Sequence, residues 1–116
     1  MKITVLTENT ISKNIEKSLA EKLKAEHGLS LFIETKNHKI LFDMGQTNLF
    51  LENAKNLAID LAKVDSAVLS HGHYDHGGLP SSENDFFGIS GFLSLNKTVP
   101  IFINENAFSD NYNASK

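Results

Sequence analysis

Ser70-His71-Gly72-His73-Tyr74-Asp75-His76-Gly77-Gly78 follows directly on the apolar run Val64-Asp65-Ser66-Ala67-Val68-Leu69. The stretch gathers three of the chain's five histidines into six residues, with a carboxylate between the second and third. Imidazole and carboxylate groups this dense are poorly explained as a solvated loop. On an extended segment, residues two apart project to one side. His71 and His73 can therefore grip one cation, and Asp75 and His76 follow closely enough to bind it or a second ion beside it. Neutral imidazole and carboxylate oxygen suit Zn²⁺, and also Mn²⁺ or Fe²⁺. The apolar run reads as a strand that delivers the cluster at its carboxyl end, where sites form in α/β architectures.

Outward from this point the chain alternates strand and helix. Lys2 to Thr7 reads as a strand rich in β-branched residues. Ile11, Ile15, Leu19 and Leu23 recur every four residues, the apolar stripe of a helix ending near His27-Gly28. Leu29 to Thr35 and Lys39 to Asp43, separated by Lys36-Asn37-His38, read as a β-hairpin. Asn48 to Leu57 has helical spacing, and Ile59-Asp60-Leu61 is a connector. After the cluster, residues 79–85 are loop-like. A helix is expected over Phe86 to Asn96, a last strand over Val99 to Asn104, and the start of a further helix from Glu105 to Asn111.

The chain has 116 residues, enough for at most one domain. It lacks cysteine, so disulfides, thiolate nucleophiles and sulfur-bound zinc are ruled out. Its 11 Lys and Arg are dispersed among 14 acids, for a net charge of −3. That balance argues against a nucleic-acid surface. Met1-Lys2-Ile3-Thr4-Val5 opens no apolar leader, and no window approaches ~18 apolar residues. The expectation is a cytoplasmic protein with no membrane partner. Gly88-Ile89-Ser90-Gly91 lacks the spacing of a nucleophile elbow, and no serine has an identifiable base partner, so serine-hydrolase chemistry is not indicated.

Ser70-His71-x-His73-x-Asp75-His76, after an apolar strand and before a Gly-Gly turn, resembles the signature of the metallo-β-lactamase-fold superfamily. Leu41-Phe42-Asp43-Met44-Gly45 resembles the strand-end motif of that superfamily, whose Asp supports the metal loop from behind. Glu26-His27-Gly28-Leu29-Ser30 and Leu69 to Leu79 are similar to a prokaryotic subfamily of metal-dependent hydrolases. That subfamily is related to a dihydropterin ribofuranosyl-aminobenzene phosphate synthase. The resemblance implies an α/β chain whose residues 1–116 form the N-terminal half of an αββα sandwich: a mixed β-sheet with helices on one face. It implies that His71 and His73 bind one divalent ion and Asp75 and His76 another. Asp75 would also act catalytically, by orienting or accepting a proton from the attacking water. The reaction implied is hydrolysis of an ester, amide or phosphoester bond in a small-molecule substrate.

The superfamily completes a dinuclear site with a further His, a bridging Asp and a last His downstream, and here no histidine follows His76. Gly77 follows His76 directly where relatives insert one residue, and residues 101–108 lack the His-Pro pair that relatives carry. Half a site is therefore expected, which leaves a non-catalytic metal-binding or assembly module as the alternative function. Leaving about ten apolar side chains of the inner sheet face wet forfeits ~1.5–3 kcal/mol each. In sum that exceeds the ~5–15 kcal/mol by which a domain is stable. A homodimer, or a missing C-terminal half, is the expected partner. Of the remaining residues, His27 reads as a helix C-terminal residue favoured by the dipole and His38 as a solvated turn residue. Tyr74 either contacts substrate or packs.

Overall fold

The computed structural model of the chain describes residues 1–71, 73–78 and 88–103. Strands β1 (Lys2–Thr7), β2 (Ser30–Glu34) and β3 (Lys39–Phe42) pair antiparallel in sequence. The β2–β3 turn is closed by the Thr35 N–H donating to His38 O (2.8 Å) and the His38 N–H donating to Thr35 Oγ1 (3.0 Å). His38 is exposed there, 3.4 Å from an Asp65 carboxylate oxygen. Strands β4 (Ser66–Leu69) and β5 (Ile101–Ile103) then add in parallel, giving one mixed sheet in the order β1-β2-β3-β4-β5.

Parallel neighbours need crossovers, supplied by α2 (Leu49–Asn56) before β4 and α4 (Ile89–Leu95) before β5. Successive crossovers of one hand, stepping the same way along a sheet, lay their helices on one face. The core shows this arrangement. Leu6, Phe32, Leu41 and Ala67 of the sheet are buried against Phe50 and Ala54 of α2 and Phe92 of α4. Leu61 and Val64, from the 3₁₀ turn Leu61–Lys63 and its end, fill the gap between the helices.

The other face is apolar too. The strand register sets Ile3 and Val5 of β1 beside Ile33 and Leu31 of β2, then Ile40 and Phe42 of β3, Val68 of β4 and Phe102 of β5. Ile3, Val5 and Phe102 are 52%, 46% and 60% exposed, and the others are only half-buried. The expected mixed sheet with helices on one face is therefore what forms, with an apolar surface behind it that the described residues cover only in part.

The helix expected from Ile11 to Leu23 shrinks to α1 (Lys17–Ala20). Side chains of α2 compete for its backbone. Asn53, buried, accepts from Lys24 N–H (3.1 Å) and donates to Lys24 O and Leu6 O (both 2.8 Å). Asn56 donates to Lys22 O (3.0 Å). The apolar stripe still faces inward, with Ile11, Ile15, Leu19 and Leu23 lining a cavity against β1. The loop expected over residues 79–85 and the helix over 105–111 lie outside the described residues. So do the first residues of the helix expected at Phe86, which is described from Ile89. Among the described residues no helix is long and apolar enough to cross a membrane.

Candidate metal centre

β3 and β4 run parallel and end side by side, so Asp43 and Ser70, each following its strand, meet at the carboxyl ends of the two strands. Asp43 is fully buried and adopts a positive φ of 58°. A non-glycine residue in that region is held by its surroundings and marks a functional or strained site. Its backbone N–H donates to Val68 O (2.9 Å), which fixes the turn. One carboxylate oxygen accepts from the Ser70 N–H (2.7 Å). The other accepts from the Ser70 hydroxyl (2.6 Å) and lies 2.6 Å from His76 Nδ1.

This bonding dictates tautomers. A carboxylate only accepts, so His76 carries its proton on Nδ1 and presents the lone pair of Nε2. Ser70 has one proton, and Asp43 takes it. The Ser70 oxygen, 2.8 Å from His71 Nδ1, must then accept from that nitrogen, and His71 also presents Nε2. One buried carboxylate thus aims two imidazoles. The second-residue partners that orient ligating histidines in metal proteins work in this way.

The loop after His71 folds into α3 (Tyr74–Gly77), a single turn that the sequence pattern does not announce. The N–H groups of His76 and Gly77 both donate to His73 O (3.0 Å each), and Met44 N–H ties the turn back to His76 O (2.6 Å). The turn swings Asp75 and His76 toward His71. One ligand atom from each of these three residues lies within 4.8 Å of the others. The His73 ring stands edge-on to the His71 ring, centroids 4.5 Å apart, and the His76 ring is 4.2 Å from His71. Among the described residues His71, Asp75 and His76 form the one such group, with His73 exposed at its rim.

The residues fit a divalent cation on the chemistry of the donor set. Two imidazoles have their outer nitrogens freed by Asp43 and Ser70, and a carboxylate oxygen lies within 4.8 Å of a ligand atom of each. His71 is also held neutral, as a ligand must be. Burial pushes its pKa below the ordinary 6.5, and His76 and His73 nearby lower it further. The sign follows directly. The depressed pKa contributes stability that is present above pH 6.5 and lost as the pH falls through the folded value. In an NMR titration of the metal-free protein, the His71 ring resonances are expected to move at lower pH than those of a free histidine. A midpoint at or above 6.5 would contradict the desolvated setting.

A family model described as the metallo-β-lactamase superfamily matches residues 23–79, a span holding both the Asp43 turn and the histidine loop. The chain belongs to the metallo-β-lactamase superfamily. It is 42% identical over 74 residues to an uncharacterised protein of Methanocaldococcus jannaschii, covering 64% of this chain and 26% of that one. It is 39% identical over 90 residues to the 7,8-dihydropterin-6-methyl-4-(β-D-ribofuranosyl)-aminobenzene-5′-phosphate synthase of the same organism, covering 72% of this chain and 28% of that one. Among solved structures it is similar to Tm1679, a metal-dependent hydrolase of the β-lactamase superfamily. The match has 26% identity and a TM-score of 0.54, over 90% of this chain and 42% of Tm1679. The short form of human tRNase Z shares the fold at 16% identity and a TM-score of 0.54, over 85% of this chain and 31% of its own. The chain thus spans about a quarter of the curated relatives' length.

Sequence reasoning assigned no site role to two residues that the structure brings to this superfamily's metal loop. Ser70 is the relay between Asp43 and His71. His27, expected at a helix end, lies well past the end of α1 and puts its Nε2 3.0 Å from Asp75 Oδ2. Its ring is 6.3 Å from that of exposed Tyr74. The available signal was the Glu26-His27-Gly28-Leu29-Ser30 motif, whose spacing alone does not say what the histidine touches.

Proposed function

We propose that the chain supplies the front half of a metal-dependent hydrolase site. A divalent cation, zinc by donor type with Mn²⁺ or Fe²⁺ as alternatives, is held by His71, Asp75 and His76 with His73 beside them. The observation that carries this reading is the buried Asp43 carboxylate, which turns the Nε2 atoms of His71 and His76 outward together. A bound divalent ion supplies hydroxide at neutral pH by lowering the pKa of its water from ~15.7 toward ~7. The chain's own residues aim the imidazoles, and Asp75 orients the attacking water or takes its proton. The substrate class is a small molecule with an ester, amide or phosphoester bond, acted on in the cytoplasm. A second ion enters this proposal through the downstream ligands that superfamily relatives carry.

One observation favours a second reading, a non-catalytic metal-binding or assembly module: His71, Asp75 and His76 by themselves make a group that could hold an ion. A catalytic zinc site uses three protein ligands and leaves a position for water. His71, Asp75 and His76 reach that number for one ion, and turnover by these residues alone should be slow beside a two-ion site. Metal analysis of the purified chain beside a His71→Ala/His73→Ala variant tests the site. The expected result is a divalent metal in the parent and its loss in the variant, and equal metal in both would remove the site from consideration. Phosphodiester turnover above blank, lost in the variant, would decide for the hydrolase over the module.

A further inference from the structure

We infer that His27 is a positioning residue of this metal site, holding Asp75 in place as Asp43 holds His76; the inference rests on the site proposed above. The segment Glu26–Leu29 crosses the metal loop as a strap fixed at several points. Glu26 takes the Gln46 N–H (2.9 Å), the Thr47 N–H (3.2 Å) and the Thr47 hydroxyl (2.6 Å) on its carboxylate. Gln46 in turn donates from its side chain to His27 O (3.1 Å), so the backbone of His27 is pinned as well. On the loop side, Leu29 N–H donates to Asp75 O (3.1 Å).

The approach is so close that only glycine fits between. A Cβ on Gly28 would sit 2.5 Å from Asp75 O, and its φ of +145° is one that side-chain-bearing residues avoid. Backbone and side chain of Asp75 are thus both caught by the strap. The side-chain catch is His27 Nε2, 3.0 Å from Oδ2. Its proton binds one lone pair of a carboxylate that has several, leaving acceptor capacity for a cation. Without that bond, Asp75 would rotate among staggered rotamers on a one-turn helix, and its ligand atom would be on station only part of the time.

His27 is 60% exposed in its side chain and Asp75 17%, so the histidine contributes little packing. A purely structural residue this exposed should not move metal affinity. The test is a competition titration of Zn²⁺ against a chromogenic chelator, with the full chain, His27→Ala, His27→Gln and the turn control His38→Ala. Partners that orient metal ligands typically contribute ~10–100-fold in affinity. His27→Ala is expected to bind about tenfold or more weakly with unchanged ion stoichiometry. His27→Gln, whose amide N–H can reach the same oxygen, should recover most of the loss, and His38→Ala should match the parent. Metal-free thermal unfolding, monitored by circular dichroism, should be unchanged in His27→Ala. Parent-like affinity in His27→Ala would overturn the inference, and so would the loss of a whole ion, which would make His27 a ligand. A parent that binds no metal would instead overturn the site itself.

Discussion

Replacing Asp43 with Ala is expected to cost more stability than any other single change at the site. It should abolish metal binding at the same time. The carboxylate is fully buried and satisfies the Ser70 N–H, the Ser70 hydroxyl and His76 Nδ1. Alanine leaves all three donors without their acceptor, at ~1–3 kcal/mol for each group that water cannot reach. Breaking a buried charged network by removing one partner typically costs ~3–5 kcal/mol. Alanine must also hold a φ of 58°, which short polar residues tolerate better. Chemical denaturation should show the loss as a lower midpoint with an unchanged slope. Asp43→Asn separates the two roles. It keeps the shape and the left-handed backbone, but its amide cannot accept at both oxygens. His76 or Ser70 must then surrender its proton arrangement, so affinity should fall while most of the stability remains. An alanine variant as stable as the parent would mean that the hydrogen-bond hub contributes nothing to the fold.

That hub explains why so much of the centre could be read from the sequence. The residue types at 71, 73, 75 and 76 are local in the chain, and a strand leading into them fixes their presentation. Asp43 could be placed behind them because a Phe-Asp-x-Gly turn at the end of one parallel strand falls beside the end of the next. His27 was illegible for the opposite reason. Its contact with Asp75 depends on how a strap far away in the chain is tied to the N-terminal end of α2, through Glu26, Gln46 and Thr47. No periodicity encodes that. The shortened α1 is a similar case. Four apolar residues at helical spacing predicted the half-buried side that lines the cavity against β1. Two asparagines of α2 then captured the backbone that would have continued the helix, and tertiary bonding overrode propensity. The α3 turn was missed because Tyr74, Asp75, His76 and Gly77 have no apolar spacing to betray it.

The second large effect concerns the apolar face of the sheet. The 116 residues alone are expected to associate and to bind an apolar dye such as ANS. The cause is topological. The β1–β2 connection carries only the four-residue α1, the β2–β3 turn carries no helix, and both crossover helices lie on the same side. The alternate set of side chains on the strands is therefore only partly covered by the described residues. Ile3, Val5 and Phe102 are exposed, and they continue through Leu31, Ile33, Ile40, Phe42 and Val68 into one band across five strands. Monomeric proteins rarely expose contiguous apolar patches beyond a few hundred Å², and burying a side chain of this kind gains ~1.5–3 kcal/mol. Relatives such as Tm1679 have more than twice the length over which this chain matches them, room for a second layer. Light scattering coupled to size exclusion should give a mass above that of one chain. Charging the centre of the band, with Phe42→Lys and Val68→Glu together, should shift the mass to that of a monomer and suppress dye binding. Both positions lie on the face away from the helix-side core, so the metal loop's ligands should still bind Zn²⁺ in the monomer. A parent chain that is already monomeric and dye-silent would mean that this face is not available to solvent, and the half-sandwich reading of the sheet would fail with it.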